Sequence, residues 1–341
     1  VAQRHQVVIT DLVRDSMEDE RAILQDVADV IALDCTCEED LLGRIEKADA
    51  VMVYHCLAIT EKTIERLERC RLIVRCGVGV DNVDVAAARR RGIPVANVPD
   101  YGTEEVADSA VGMLLALTRG IHLLNSIFRR GGGPWTHEHT VPLRRLRGTE
   151  LGVVGLGRIG TAVAIRGKAL GMDVAYYDPY KQDGYDKAIG VRRVHDLNAL
   201  MAESHVVTLH CPLTTETRHI VNAETLSRMP RGGFLVNTAR GALVQTDALA
   251  DAVASGQLAG AAIDVFPEEP PRDDDPLIAA WRDPQHPAHD RVLINPHAAW
   301  YCEEGLVEMR TKSARACRAA ILGHRIPNVV NEVGDQSPGL W

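Results

Sequence analysis

Short apolar, β-branched runs recur along this chain with helix-compatible sequence between them, and that alternation leaves few folds open. A first series runs Val7-Val8-Ile9, Ala50-Val51-Met52-Val53, Leu72-Ile73-Val74 and Ile93-Pro94-Val95. A second runs Leu151 to Val154, Val174 to Tyr177, Val206 to Leu209, Phe234 to Val236, Ala262 to Val265 and Val292 to Ile294. Strands alternating with helices predict parallel sheets covered by helices on both faces. A chain of 341 residues is too long for one compact core. The two series therefore predict two doubly wound α/β domains with a cleft between them. One is expected to be discontinuous, over 1–101 and 303–341; the other spans 102–302. A long amphipathic helix is expected from Glu104 to about Arg130, with Val106, Ala110, Met113, Leu114, Leu117 and Ile121 on its apolar face. Thr103 would cap it, and Gly131-Gly132-Gly133-Pro134 would end it. A last helix is expected from about Glu303 to Leu322, returning to the first domain.

Composition narrows the partners. Apolar residues make up 46% and charged residues 25%, with a net charge of -9. That balance suits a globular domain and not a phosphate-neutralising surface, so no direct nucleic-acid partner is expected. Apolar stretches fall short of the ~20 residues of a membrane span, so no membrane partner is expected either. Neither is a leader sequence. The 8 cysteines form no CxxC pair, which argues against a zinc site or disulfide framework and for a reducing, cytoplasmic setting. His137-Glu138-His139 reads as a surface loop and not a metal site, so no metal is expected.

Gly155-Leu156-Gly157-Arg158-Ile159-Gly160 follows an apolar strand and opens a helical stretch from Thr161 to Leu170. In that context the first glycine permits a tight turn. The second lets backbone approach a pyrophosphate, and the third lets helix and strand pack closely. The helix N-terminus then offers N–H groups to the phosphates. Asp178 ends the next strand at the spacing where an acid takes the ribose hydroxyls, which favours NAD over NADP. The second domain thus reads as an NAD-binding Rossmann domain.

Later strands end in polar residues. Asn237-Thr238-Ala239-Arg240-Gly241 leaves one strand, Asp264 to Pro270 the next, and Asn295-Pro296-His297-Ala298-Ala299-Trp300 the one after. Ligands of open α/β sheets bind at such carboxyl ends. Reducing a 2-oxo acid needs a cation to hold the carboxylate and an acid to protonate the carbonyl oxygen. A histidine paired with a carboxylate suits the second task.

With these residues in place the sequence resembles the D-isomer-specific 2-hydroxyacid dehydrogenases, and within them the C-terminal-binding protein (corepressor) branch. The resemblance runs from about Gln25 to Asn331. It is strongest at Val74 to Asn82, Leu235 to Gly241, and Pro296 to Tyr301. It implies a catalytic set of Arg240, Glu269 and His297, with Arg240 binding substrate, His297 donating the proton and Glu269 holding the histidine. It further implies substrate contacts from Arg75, His55, the Gly77-Val78-Gly79 loop and Trp300, making the first domain substrate-binding and flavodoxin-like. Cofactor contacts would come from Arg158 and Ile159 at the pyrophosphate, and from Cys211, Pro212, Thr217, Thr238, Ala239 and Asp264, beside the glycine turn. Val78 and Val106 stand where the branch has polar cofactor neighbours. Trp300 suggests a substrate with an apolar tail. The family also implies a homodimer, or a tetramer.

Two kinds of function follow. One is an NAD-dependent oxidoreductase acting on small 2-oxo or 2-hydroxy acids; the other is an NAD(H)-gated, corepressor-like binding protein. The short stretch after the last helix is taken to favour the first. A phosphonate or phosphite in place of the acid is a third reading that nothing in the sequence favours.

Overall fold

A computed structural model describes residues 4–13 and 16–333. The chain divides into two compact units. One comprises residues up to Gly102 together with those from Cys302, and the other is Thr103–Tyr301. Positions 334–341, which the sequence assigns to the first domain, lie outside the described residues.

The first unit holds β1 (His5–Asp11), β2 (Ala28–Cys35), β3 (Ala50–Val53), β4 (Ile73–Arg75) and β5 (Val95–Asn97). They form a parallel sheet in the order β2-β1-β3-β4-β5. Val7 to Ile9 and all of β3 are buried, as strands covered on both faces must be. β2 was not among the expected strands. It is an edge of the sheet, only three of its eight residues are buried, and Asp29 and Asp34 interrupt its apolar pattern. The helix Glu303–Ile321 returns to this unit against the helix Glu18–Leu24. A buried ion pair joins the two, with Arg310 Nε and Nη2 each 2.6 Å from a Glu20 oxygen.

The second unit holds β6 (Glu150–Val154), β7 (Asp173–Tyr177), β8 (Arg192–Arg193), β9 (Val206–Leu209), β10 (Gly233–Asn237), β11 (Leu258–Ile263) and β12 (Val292–Ile294). Their order is β12-β11-β10-β9-β6-β7-β8, parallel throughout. Successive strand residues feed two separate cores. Val154, Leu235 and Ile263 face a cluster with Leu200, Leu226, Leu249 and Leu277. Val153, Val236 and Ala262 face one with Leu114, Leu117 and Val163. Each such buried aliphatic side chain contributes roughly 1.5–3 kcal/mol. Strand order reverses at β6, which lies between β7 and β9; that is where a doubly wound sheet opens a crevice.

The long helix expected from Glu104 to Arg130 is two helices, Thr103–Thr118 and Ile121–Arg129, bent by 64°. Gly120 sits between them at φ +64°, and a Cβ there would lie 2.5 Å from Thr140 Cγ2. The break is a glycine in the left-handed region that only a glycine fills at this approach. Thr103 is the first helical residue and not the cap. No described helix alone is long and apolar enough to cross a membrane.

Candidate active site

Three glycines shape the turn after β6, each under a different constraint. Gly155 has φ +89°, and a Cβ on it would stand 2.6 Å from the Cys211 nitrogen. Gly160 lies so close to the turn that a Cβ would be 2.1 Å from the Gly155 carbonyl oxygen. Around Gly157 nothing lies within 4 Å, so its backbone faces open space. That is the steric pattern a bound pyrophosphate demands: close packing at first and third positions, clearance at the second. The helix begins at Arg158, three residues earlier than expected, and its first turn carries no acid. Arg158 is exposed and Ile159 half-buried.

Asp178, just past β7, ties into this turn. One carboxylate oxygen accepts from Leu156 N at 2.9 Å and the other from Tyr180 N at 3.0 Å. On the other side of β6, the chain past β9 is held by Thr217, whose hydroxyl donates to the Pro212 carbonyl at 2.7 Å. Burial pushes the Cys211 thiol up to about 11, so it stays protonated and unreactive at neutral pH.

The ends of β10, β11 and β12 lie against one another. Asn237, which the sequence reading did not single out, closes the first turn: its Oδ1 accepts from Ala239 N at 3.0 Å and its Nδ2 donates to the Arg240 carbonyl at 2.9 Å. A polar side chain ending the apolar run Phe234-Leu235-Val236 was the available signal. Thr238 Oγ1 is buried with no hydrogen-bond partner among the described residues, an orphan that a carboxamide or ribose hydroxyl would satisfy. Arg240 is half-buried and its Nη1 donates to the Ala239 carbonyl at 2.7 Å. A Cβ on Gly241 would lie 1.9 Å from the Phe266 carbonyl carbon, so the Arg240 turn presses directly on the turn after β11.

In that second turn Glu269 Oε1 accepts from Phe266 N at 2.9 Å, and its Oε2 lies 2.6 Å from His297 Nδ1. Glu268 points elsewhere, 3.9 Å from Arg272 Nε. Asp264 is 1% exposed. Its oxygens accept from Ala298 N at 2.9 Å and Ala299 N at 3.1 Å, clasping the segment that carries His297. Burial pushes its carboxyl above the usual carboxylate range, with the two N–H bonds pulling the other way. The structure thus gives Asp264 a second task beside the cofactor contact read from sequence. Arg240, Glu269 and His297 come together in one unit, on three adjacent strand ends.

The remaining candidates belong to the first unit. Arg75 is buried at the end of β4, its Nη1 donating to the Cys76 carbonyl at 3.2 Å. Gly77 has φ +142°, and a Cβ there would fall 1.6 Å from Arg75 Nη1. Asn97 Nδ2 holds the Val78 carbonyl at 2.6 Å, and Gly79 is half-buried. His55 is exposed on a loop fixed from both sides. Asp11 accepts from Tyr54 N and Cys56 N at 2.9 and 3.2 Å, and Asn82 Nδ2 donates to the Tyr54 and Leu57 carbonyls, both at 2.7 Å. Val106 is a buried core residue of its helix.

The glycine cradle, Asp178 and the orphaned Thr238 hydroxyl together fit a dinucleotide. Comparison with known proteins agrees. The chain is 37% identical over 325 residues to D-3-phosphoglycerate dehydrogenase of Methanocaldococcus jannaschii, covering 95% of this chain and 59% of that protein. It is 33% identical over 311 residues to C-terminal-binding protein 1 of Caenorhabditis elegans, covering 89% of this chain and 42% of that protein. The chain therefore spans about half the length of these curated relatives. A solved structure of D-lactate dehydrogenase from Aquifex aeolicus, complexed with NAD and lactic acid, aligns with a TM-score of 0.84 at 30% identity, over 97% of this chain and all of that one. Residues 111–299 match the NAD-binding domain of the D-isomer specific 2-hydroxyacid dehydrogenases, and the chain belongs to that family.

Proposed function

We propose that the protein is an NAD-dependent D-2-hydroxyacid dehydrogenase, or 2-oxo acid reductase, for a substrate with an apolar tail. The observation that carries this reading is the Glu269–His297 pair at 2.6 Å, on the strand end next to the Arg240 turn. Bound in the glycine cradle, NADH supplies the hydride that the carbonyl carbon of the substrate accepts. Arg240 grips the substrate carboxylate and orients the carbonyl, a task suited to a planar guanidinium fork. Glu269 occupies Nδ1 of His297, which assigns proton donation to Nε2. The proton goes to the carbonyl oxygen as hydride reaches carbon, giving the 2-hydroxy acid and NAD; the reverse reaction uses His297 as base. Arg75, His55 and the backbone N–H groups of the Gly77-Val78-Gly79 loop are the further substrate contacts of this reading. Such a run of N–H groups suits an anion. The face of Trp300 lines the tail.

The functional protein is a cytoplasmic homodimer. Ile121, Trp135 and Val141, at 59%, 87% and 63% exposed, put a large apolar rim on one excursion of the second unit. Among the described residues the cysteines form no disulfide, as a reducing compartment would keep them. A second reading is an NAD(H)-gated binding protein, favoured by the likeness to C-terminal-binding protein 1 and by the open eight-residue edge of β2.

The test is NADH oxidation against 2-oxo acids graded from glyoxylate to 4-methylthio-2-oxobutyrate and phenylpyruvate. Turnover rising with the apolar tail supports the dehydrogenase. No turnover on any of them, with NADH bound tightly, sinks it in favour of the binding protein.

A further inference from the structure

The segment after β12 carries His297 through a backbone conformation that side-chain-bearing residues avoid. His297 has φ +51°. Left-handed backbone is unfavourable for a non-glycine residue, so it persists only where neighbouring bonds impose it. Those bonds can be named. The His297 N–H donates to the Asp264 carbonyl at 2.7 Å. The next two N–H groups go to the Asp264 carboxylate. Ser109 Oγ holds the Ala299 carbonyl at 3.0 Å. The His297 carbonyl itself is taken by Trp300, whose indole Nε1–H donates to it at 2.9 Å.

The peptide group before the His297 Cα is pinned by the Asp264 carbonyl, and the one after it is held at both ends, its N–H by the Asp264 carboxylate and its carbonyl by Trp300. With the backbone fixed, the 2.6 Å contact to Glu269 sets the ring. Remove the indole N–H, and the carbonyl end of that second peptide group is released while its N–H bond to Asp264 and the ring contact stay.

We propose that Trp300 is a positioning residue for His297, acting through its indole N–H and separately from any wall its ring offers to substrate. The inference rests on His297 as the proton donor. Wall and pin make different demands. A wall needs apolar bulk, and its loss appears in KM and in the preference for long-tailed acids. A pin needs a donor at one point. Its loss appears in kcat, because proton transfer depends steeply on where the acid sits and a displacement of about 1 Å can cost 100-fold.

The experiment replaces Trp300 with 3-benzothienylalanine, which keeps the bicyclic shape and lacks the N–H, beside a Trp300→Phe variant and a His297→Gln control. Steady-state kinetics on glyoxylate and on phenylpyruvate are followed across pH. NADH affinity is measured by calorimetry without substrate, and the His297 ring is followed by NMR of histidine labelled with carbon-13.

The benzothienyl protein should lose about tenfold in kcat, the upper range for one net hydrogen bond. KM for both acids, their ratio of kcat/KM, and NADH affinity should stay within about twofold of the parent. The pH profile of kcat should shift, and the His297 ring signal should broaden or move. Unchanged kcat with an unmoved ring signal overturns the proposal. So does a loss confined to KM for phenylpyruvate, which leaves the tryptophan as a wall only. Full turnover in His297→Gln removes the proton-donor reading instead, and the ring signal then decides alone whether the indole pins the histidine.

Discussion

The first strand of each sheet feeds a helix, and the two turns are built in opposite ways. After β6 the chain passes Gly155-Leu156-Gly157 into a helix whose first turn has no acid, with open space around Gly157. β1 ends in Asp11, which accepts from the Thr10 hydroxyl and from Tyr54 N and Cys56 N. The helix that follows opens with Glu18, Asp19 and Glu20. A helix N-terminus attracts negative charge. The first unit meets that demand with its own carboxylates, one of them locked to Arg310 in the core. The second leaves the position bare, which lets it receive the phosphates of a ligand. One supersecondary unit is thus closed as framework in one place and open as a binding site in the other.

The largest expected effect falls on the closed version. Arg310→Ala leaves Glu20 buried without its partner and should cost about 3–5 kcal/mol of unfolding free energy in urea titration. Replacing Glu20 and Arg310 together by methionine should recover most of that loss. A single-variant cost below about 1 kcal/mol would mean that the pair is solvated in practice, and that the closed turn is no more rigid than the open one.

The open version is tested by filling it. A Cβ on Gly157 meets no atom within 4 Å, so in Gly157→Asp the melting temperature should hold within a few degrees. NADH affinity should fall about 30-fold or more, because a carboxylate then sits where the phosphates belong. Undiminished binding in fluorescence titration would place the phosphates elsewhere.

The contrast between the turns explains what the sequence made legible. The glycine motif was readable because three steric constraints act at fixed spacing within six residues. Asp178 was readable for the same local reason. Arg240, Glu269 and His297 are each ambiguous alone; only the resemblance drew them into one set. The Asp264 clasp was out of reach, since it joins residues more than thirty positions apart and its partners are backbone N–H groups. The bond from Trp300 to the His297 carbonyl is local, yet an indole N–H leaves no trace in apolar patterning, so the tryptophan read only as a wall. β2 was missed because an edge strand need not be apolar on both faces, and the helix break because Gly120 stands alone in an otherwise unbroken helical pattern.

A smaller effect should separate the charge of the open site from its shape. Asp178→Asn keeps an oxygen for Leu156 N in the glycine turn and removes the charge that would repel a 2′-phosphate. The ratio of NADP to NAD affinity should rise about tenfold, the effect of a like charge of about 1.4 kcal/mol near the surface. An unchanged ratio would take Asp178 out of the ribose site and leave it as a brace for Leu156 and Tyr180.

The smallest expected effect is at Asp264, where the open unit buries a carboxylate of its own. Burial holds its carboxyl above the ordinary range. The folded state therefore favours the protonated form more than the unfolded state does. Stability falls as pH rises from the ordinary carboxylate value through the raised folded one, and the penalty persists above it. Asp264→Asn keeps an oxygen for Ala298 N and Ala299 N and removes the charge. At pH 7 the variant should melt at or slightly above the parent temperature, and the gap should close in acid, where both side chains are neutral. A clear drop in melting temperature at pH 7 would show that the two charge-assisted bonds outweigh burial. The strand ends of the second unit would then be braced by an ionised carboxylate of their own.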